Sequence, residues 1–125
     1  MDSLPFLVGL YVAFQAKHFV CDYPLQRPWM LAKGQREGWF LPLLAHAIVH
    51  ATGTLMICMV VAPTYAWLAL VDLVVHATVD RIKAHPDLGG RWNTEQPYFW
   101  WALGLDQMAH HLTHFGFIVV ILYQL

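Results

Sequence analysis

Charge is scarce in this chain: only 12% of its 125 residues are Asp, Glu, Lys or Arg, 58% are hydrophobic, and the mean hydropathy is +0.48. Soluble domains carry about twice that share of charge, so an ordinary water-soluble domain is excluded. The net charge of -1 supplies no basic field, and no nucleic-acid partner is expected. Cys21 and Cys58 are the only cysteines and form no CxxC or CxxCH, which removes the usual redox and haem-attachment motifs. They fall in different hydrophobic segments toward opposite ends, so no mutual disulfide is expected. Sustained alternation with period two is missing, which removes a β-barrel. No basic cluster precedes the first hydrophobic segment, and that segment carries His18 and Asp22, so it does not read as a cleaved signal peptide.

What remains is long hydrophobic runs. Four stretches approach the roughly 20 residues needed to cross a bilayer, near Leu4–Tyr23, Phe40–Ala62, Thr64–Arg81 and Tyr98–Tyr123. All are predicted helices, because an isolated segment in lipid must satisfy its own backbone. The expected fold is all-α: one domain over residues 1–125, an integral-membrane up-and-down bundle of four transmembrane helices. Lys17, Arg27, Lys33 and Arg36 flank the first loop, and Arg81, Lys83 and Arg91 flank the third. The turn at Pro63 and both termini have no Lys or Arg. The positive-inside rule then puts loops one and three in the cytoplasm and both termini outside. Trp29, Trp39, Trp92, Trp100 and Trp101 gather at the same boundary, as an aromatic belt does.

Ionisable residues inside such segments are costly and point to function. They come in pairs four residues apart: His18 and Asp22, His46 and His50, His76 and Asp80, Asp106 and His110. That spacing stacks two side chains on one helix face. With neighbouring helices antiparallel, the pairs align by depth. Asp22, His46, Asp80 and Asp106 form a layer nearest the cytoplasm; His18, His50, His76 and His110 lie one turn deeper. A third layer offers Gln15, Thr54, Asp72 and His114. Beyond it the segments are apolar, so the polar cluster is open at one end and closed at the other.

Imidazole with carboxylate suits zinc, iron or manganese. The eight residues of the first two layers exceed the needs of one tetrahedral ion, so one or two divalent metals are expected, with Asp72, Gln107 and His114 supporting the ligands from behind. His111 points about 100° away from His110 and reads as lipid-facing or supporting. Lys83, with Lys33 or Arg27, is placed to hold an anionic head group. The function expected is that of a membrane-embedded metal-dependent hydrolase acting on a lipid-like or amphiphilic substrate from the cytoplasmic leaflet. Asp22 or Asp106 would serve as general base, and Lys83 would stabilise a developing oxyanion or bind a phosphate. The alternatives are a di-iron oxidase, hydroxylase or desaturase, a proton or metal-ion carrier, and a structural adaptor. Haem is not expected, because aspartates stand beside the histidines in the layered cluster. Four helices make a thin shell around a polar core, so a homo-oligomer is expected.

Several blocks of residues together are similar to a known family. They are His18-x-x-x-Asp22 followed by Leu25-Gln26, Trp29-Met30 and Lys33; His46-x-x-x-His50; His76-x-x-x-Asp80-x-x-Lys83; and Asp106-Gln107-x-x-His110. In this order they resemble a bacterial family of small polytopic membrane proteins catalogued as a domain of unknown function (number 3307). The resemblance implies a bacterial inner-membrane location and adds Gln26 and Lys33 as substrate-side candidates. It implies no activity. His46-x-x-x-His50 and His110-His111-x-x-His114 also resemble the histidine boxes of membrane di-iron desaturases and hydroxylases.

Overall fold

The computed structural model describes residues 3–124; what the sequence predicts for Met1, Asp2 and Leu125 lies outside the described residues. Four α-helices follow one another: α1 (Leu4–Asp22), α2 (Phe40–Val61), α3 (Leu68–Ala84) and α4 (Pro97–Gln124). Short 3-10 segments at Pro28–Gly34, Pro63–Tyr65 and Gly89–Arg91 occupy the three connections. Among the described residues there is no strand.

Prolines punctuate the helices where the missing N–H is harmless. Pro5 and Pro97 stand in the first turns of α1 and α4, where backbone donors have no helical partner anyway. Three predicted segments match their helices to within one residue at each end. The third does not: Thr64–Arg81 was expected, and the helix runs Leu68–Ala84. Ala62 leaves helical geometry at φ -159°, and Pro63–Tyr65 forms a 3-10 turn, so the helix cannot restart until Trp67 caps it. At the other end the helix continues past Arg81 to Ala84 and so carries Lys83 as well.

Consecutive helices pack together and α4 returns to α1, closing a four-helix ring. The Pro63 end is filled by an apolar core that includes Leu10, Phe14, Cys58, Leu68, Phe117 and Ile121. The middle of the ring is filled by polar side chains instead, among them Lys17, His46, His50, Asp72, His76 and His110, each at most 7% exposed. The outside is apolar, with Val12, Phe19, Met56, Val60, Leu70, Val74, Leu112 and Phe115 all exposed. Of the four helices, α1 and α2 are long and apolar enough to cross a membrane by length and composition. α3 has 17 residues.

The connection from α1 to α2 folds back over the polar end of the ring. Arg81 on α3 fixes it, donating from Nη1 to the carbonyls of Lys33 (2.7 Å) and Gln35 (3.0 Å) while its guanidinium lies 4.2 Å from the centre of the Trp39 ring. Gly38, at φ 70°, provides the left-handed turn into α2. Farther out, Arg36 grips Asp87 with two hydrogen bonds of 3.0 and 2.6 Å, tying the first loop to the third.

Candidate metal centre

Each α-helix sends side chains into the middle of the ring, and Asp22 is their first meeting point. Its Oδ1 lies 2.7 Å from His50 Nε2 and 3.3 Å from His46 Nε2, and its Oδ2 lies 3.1 Å from His18 Nε2. One carboxylate at the end of α1 thus gathers histidines from two helices. Behind it the rings of His50, His76 and His110 form a stacked column, with centroids 3.8 and 4.1 Å apart. His46 meets His50 and His76 edge to face at 4.8 and 5.2 Å.

Two sets of donors emerge. Asp22, His46, His50 and His76 form one; His76, Asp80 and His110 form the other. Within each set the donor atoms lie within 4.8 Å of one another. A tetrahedral ion holding nitrogen and oxygen at about 2.1 Å keeps its donors roughly 3.4 Å apart, so small side-chain rotations would close either set. The donor types fit a first-row divalent ion. His76 belongs to both sets, is 1% exposed, and has neither ring nitrogen hydrogen-bonded. A buried imidazole with both nitrogens idle is uncommon, since buried polar atoms nearly always find partners. A ligand would supply what the protein does not.

Of the eight predicted ligands, six fall in these sets. His18 and Asp106 stand one step away. His18 Nε2 is 2.8 Å from Gln107 Oε1, and Gln107 Nε2 donates to Asp106 Oδ2 at 3.1 Å. Asp106 Oδ1 lies 3.2 Å from His110 Nε2. Gln107 therefore links the two residues outside the sets.

The deeper layer departs from the sequence reading. Gln15, expected there, turns to the rim, where its Nε2 is 3.4 Å from His111 Nδ1. Lys17 takes its place. Read from sequence as a loop-flanking cation, it is buried inside the ring: Nζ donates to Asp72 Oδ2 at 2.8 Å and lies 3.0 Å from His114 Nε2. Thr54 Oγ1 donates to the same Asp72 oxygen at 2.5 Å. The signal was available. Leu10, Phe14, Lys17 and Cys21 are spaced by four, three and four residues, the seam of a helix packed on its neighbours, and all four are buried. Asp72 and His114 accordingly meet Lys17, and His114 also packs edge to face on His18, with ring centroids 5.8 Å apart. Cys21 also turns away from the cluster, its Sγ 3.7 Å from the Val49 carbonyl.

At the loop end a polar cavity of about 130 Å³ opens over both donor sets. Asp22, Gln26, Lys33, Asp80, Lys83 and Asp106 contribute to its wall. Lys33 Nζ is 2.6 Å from Asp80 Oδ2 and donates to Gln26 Oε1 at 2.8 Å, and Gln26 in turn donates to the Asp22 backbone carbonyl at 2.9 Å. Arg27, the other cation considered for this role, is exposed and does not line the cavity. The sequence grouped these residues through a family resemblance; the folded-back loop is what places them together.

No curated protein and no solved structure matches the chain. A family model described as "Protein of unknown function (DUF3307)" matches residues 10–125, a span that contains every donor named above, and the chain belongs to that family.

Proposed function

We propose that this chain is a membrane-embedded, metal-dependent hydrolase, a bundle of four transmembrane helices acting on an amphiphilic substrate from the cytoplasmic leaflet. The observation that carries the metal is His76, buried, shared by both donor sets and without a hydrogen-bond partner on either ring nitrogen. The membrane reading rests on inverted polarity: side chains that would normally face water fill the middle, and aliphatic and aromatic ones cover the outside. Arg27, Lys33, Arg36 and Arg91 belong to the two connections at one end, and Arg81 and Lys83 to the last turn of α3 beside them, the end that the positive-inside rule assigns to the cytoplasm. Lys17, being interior, no longer counts toward that rule.

A divalent ion in these donor sets would supply an acidified water and charge to offset a developing oxyanion. The side chains divide the remaining work. Asp106 lines the cavity but belongs to neither donor set, which leaves its carboxylate to accept a proton. Lys83 lines the same cavity with an ammonium group that has no carboxylate partner among the described residues. Gln26 and Lys33 brace the mouth. The apolar plug formed by Leu10, Phe14, Leu68 and Phe117 closes the far end, which favours a one-ended reaction site over a carrier's path.

The test is elemental analysis of detergent-purified protein beside His76→Ala and Asp106→Asn. One or two equivalents of zinc, manganese or iron should accompany the wild type and fall in His76→Ala. Asp106→Asn should keep its metal and lose hydrolytic activity against amphiphilic esters and phosphoesters. Iron with oxygen consumption would redirect the assignment to an oxidative enzyme, and folded protein that takes up no ion would end the metal reading.

A further inference from the structure

The cavity at the loop end is small and densely charged, unlike the groove of about 560 Å³ between α1 and α2, whose lining is chiefly apolar. At about 130 Å³ it has room for a few waters or one compact oxyanion. Its charges, however, do not favour an anion as they stand. Asp22, Asp80 and Asp106 oppose Lys33 and Lys83, leaving an excess of one negative charge. Lys33 is moreover engaged, with its ammonium 2.6 Å from Asp80 Oδ2.

Asp80 is also a donor of the second set, with His76 and His110. A divalent ion on that set and the Lys33 ammonium compete for one carboxylate. The doubly charged ion held by three donors has the advantage, and Lys33, on a flexible stem at the end of the Pro28–Gly34 turn, is then released beside the cavity. Two bound ions would also reverse the sign of the local charge. Lys83 stands ready on α3, its Nζ 5.8 Å from the centre of the Phe99 ring.

We propose that this cavity is a phosphate-group subsite, held by Lys33 and Lys83, that accepts its anion once a divalent ion has displaced Lys33 from Asp80. The inference rests on the metal reading above and names the substrate class for the same site. Phosphate fits because it is compact, tetrahedral and multiply charged, and so can meet two ammonium groups and a metal edge at once. Linkage makes the coupling mutual: phosphate tightens the metal as much as the metal tightens phosphate.

Equilibrium dialysis of the full chain in detergent, with labelled inorganic phosphate, tests this in metal-free and manganese-loaded protein. Loading should raise phosphate affinity at least ten-fold. Lys83→Met should lower it by about ten-fold or more at unchanged metal content, the loss expected for one charged hydrogen bond. Lys33→Met should hold manganese on the second set more tightly while binding phosphate more weakly, and Lys33→Arg should retain phosphate. Equal binding with and without metal, or wild-type affinity in Lys83→Met, overturns the proposal. So does loaded protein that binds no phosphate, in which case the metal reading stands alone. Protein without metal overturns both, and metal content reveals this before phosphate is added. Competition by dihexanoyl phosphatidic acid at least ten-fold better than by inorganic phosphate assigns the subsite to a lipid-like phosphate. Equal competition assigns it to free phosphate, and either result supports the subsite.

Discussion

Removing the Lys17 ammonium should destabilise the bundle more than any other single polar truncation in its middle. The Lys17 and Asp72 side chains are 4% and 2% exposed and meet at 2.8 Å. Without the lysine, Asp72 keeps only the Thr54 hydroxyl, and His114 Nε2 loses its neighbour. Breaking one side of a buried ion pair typically costs about 3–5 kcal/mol, because the remaining charge stays buried without compensation. For a chain of this size that corresponds to a fall in melting temperature of roughly 10 °C or more.

Lys17→Met is the informative variant because it keeps most of the stem that packs along Gly53. Thermal unfolding in detergent, followed by tryptophan fluorescence, gives the loss. Asp72→Asn in the same background removes the stranded charge and should recover at least half of it; with the Asp72→Asn single variant closing the cycle, the coupling energy should be about 2 kcal/mol or more. A Lys17→Met melting temperature within error of wild type would refute the reasoning, since it would mean the ammonium reaches solvent. Identical losses in the single and double variants would refute it equally, by showing that Asp72 is not the partner.

Two further tests bear on the same packing and on the loops. A Cβ at Gly53 would stand 2.7 Å from Lys17 Cγ, so Gly53→Ala should cost roughly 1–3 kcal/mol, and less when Lys17 is also replaced by alanine. At the surface, hydrogen bonds from Arg36 hold the Asp87 carboxyl below the usual carboxylate range. The pair therefore supports the fold above that range and stops doing so as pH falls through the lowered value. Both side chains are more than half exposed, so the contribution is small: Arg36→Gln should lower the melting temperature only slightly, while the Asp87 titration followed by NMR moves up to ordinary carboxylate values.

The layered cluster was legible because helices repeat every 3.6 residues and each candidate pair is four apart, which fixes its face and depth. Depth alone, however, cannot separate Gln15 from Lys17. Both lie within a turn of His18, and charge argued for placing the lysine at the rim. Packing decided otherwise: Asp72 and His114 on two other helices already faced the interior and required a cation. The connection between α1 and α2 was legible least of all. Nothing local brings Lys33 to Asp80. That contact depends on Arg81 holding the carbonyls of Lys33 and Gln35, and on Gly34 lying close enough to α3 that a Cβ would be 3.1 Å from the Ala84 carbonyl. Such contacts are set by tertiary closure and leave no periodicity in the sequence.

The two lysines of the interior show how one bundle separates structure from chemistry. Lys17 is locked. Its partner Asp72 belongs to neither donor set, its stem is pressed against Gly53, and the apolar plug lies just beyond it. An ion entering from the loop end has no reason to displace it, so it neutralises the deepest carboxylate permanently. Lys33 is the opposite case. Its partner Asp80 belongs to a donor set, its stem hangs from a connecting turn, and its ammonium borders a cavity open to the loops. The same ion-pair chemistry is therefore permanent where the fold excludes a competitor and exchangeable where it admits one. That contrast supports treating the loop end as the working face, and the Lys17 layer as the floor on which it is built.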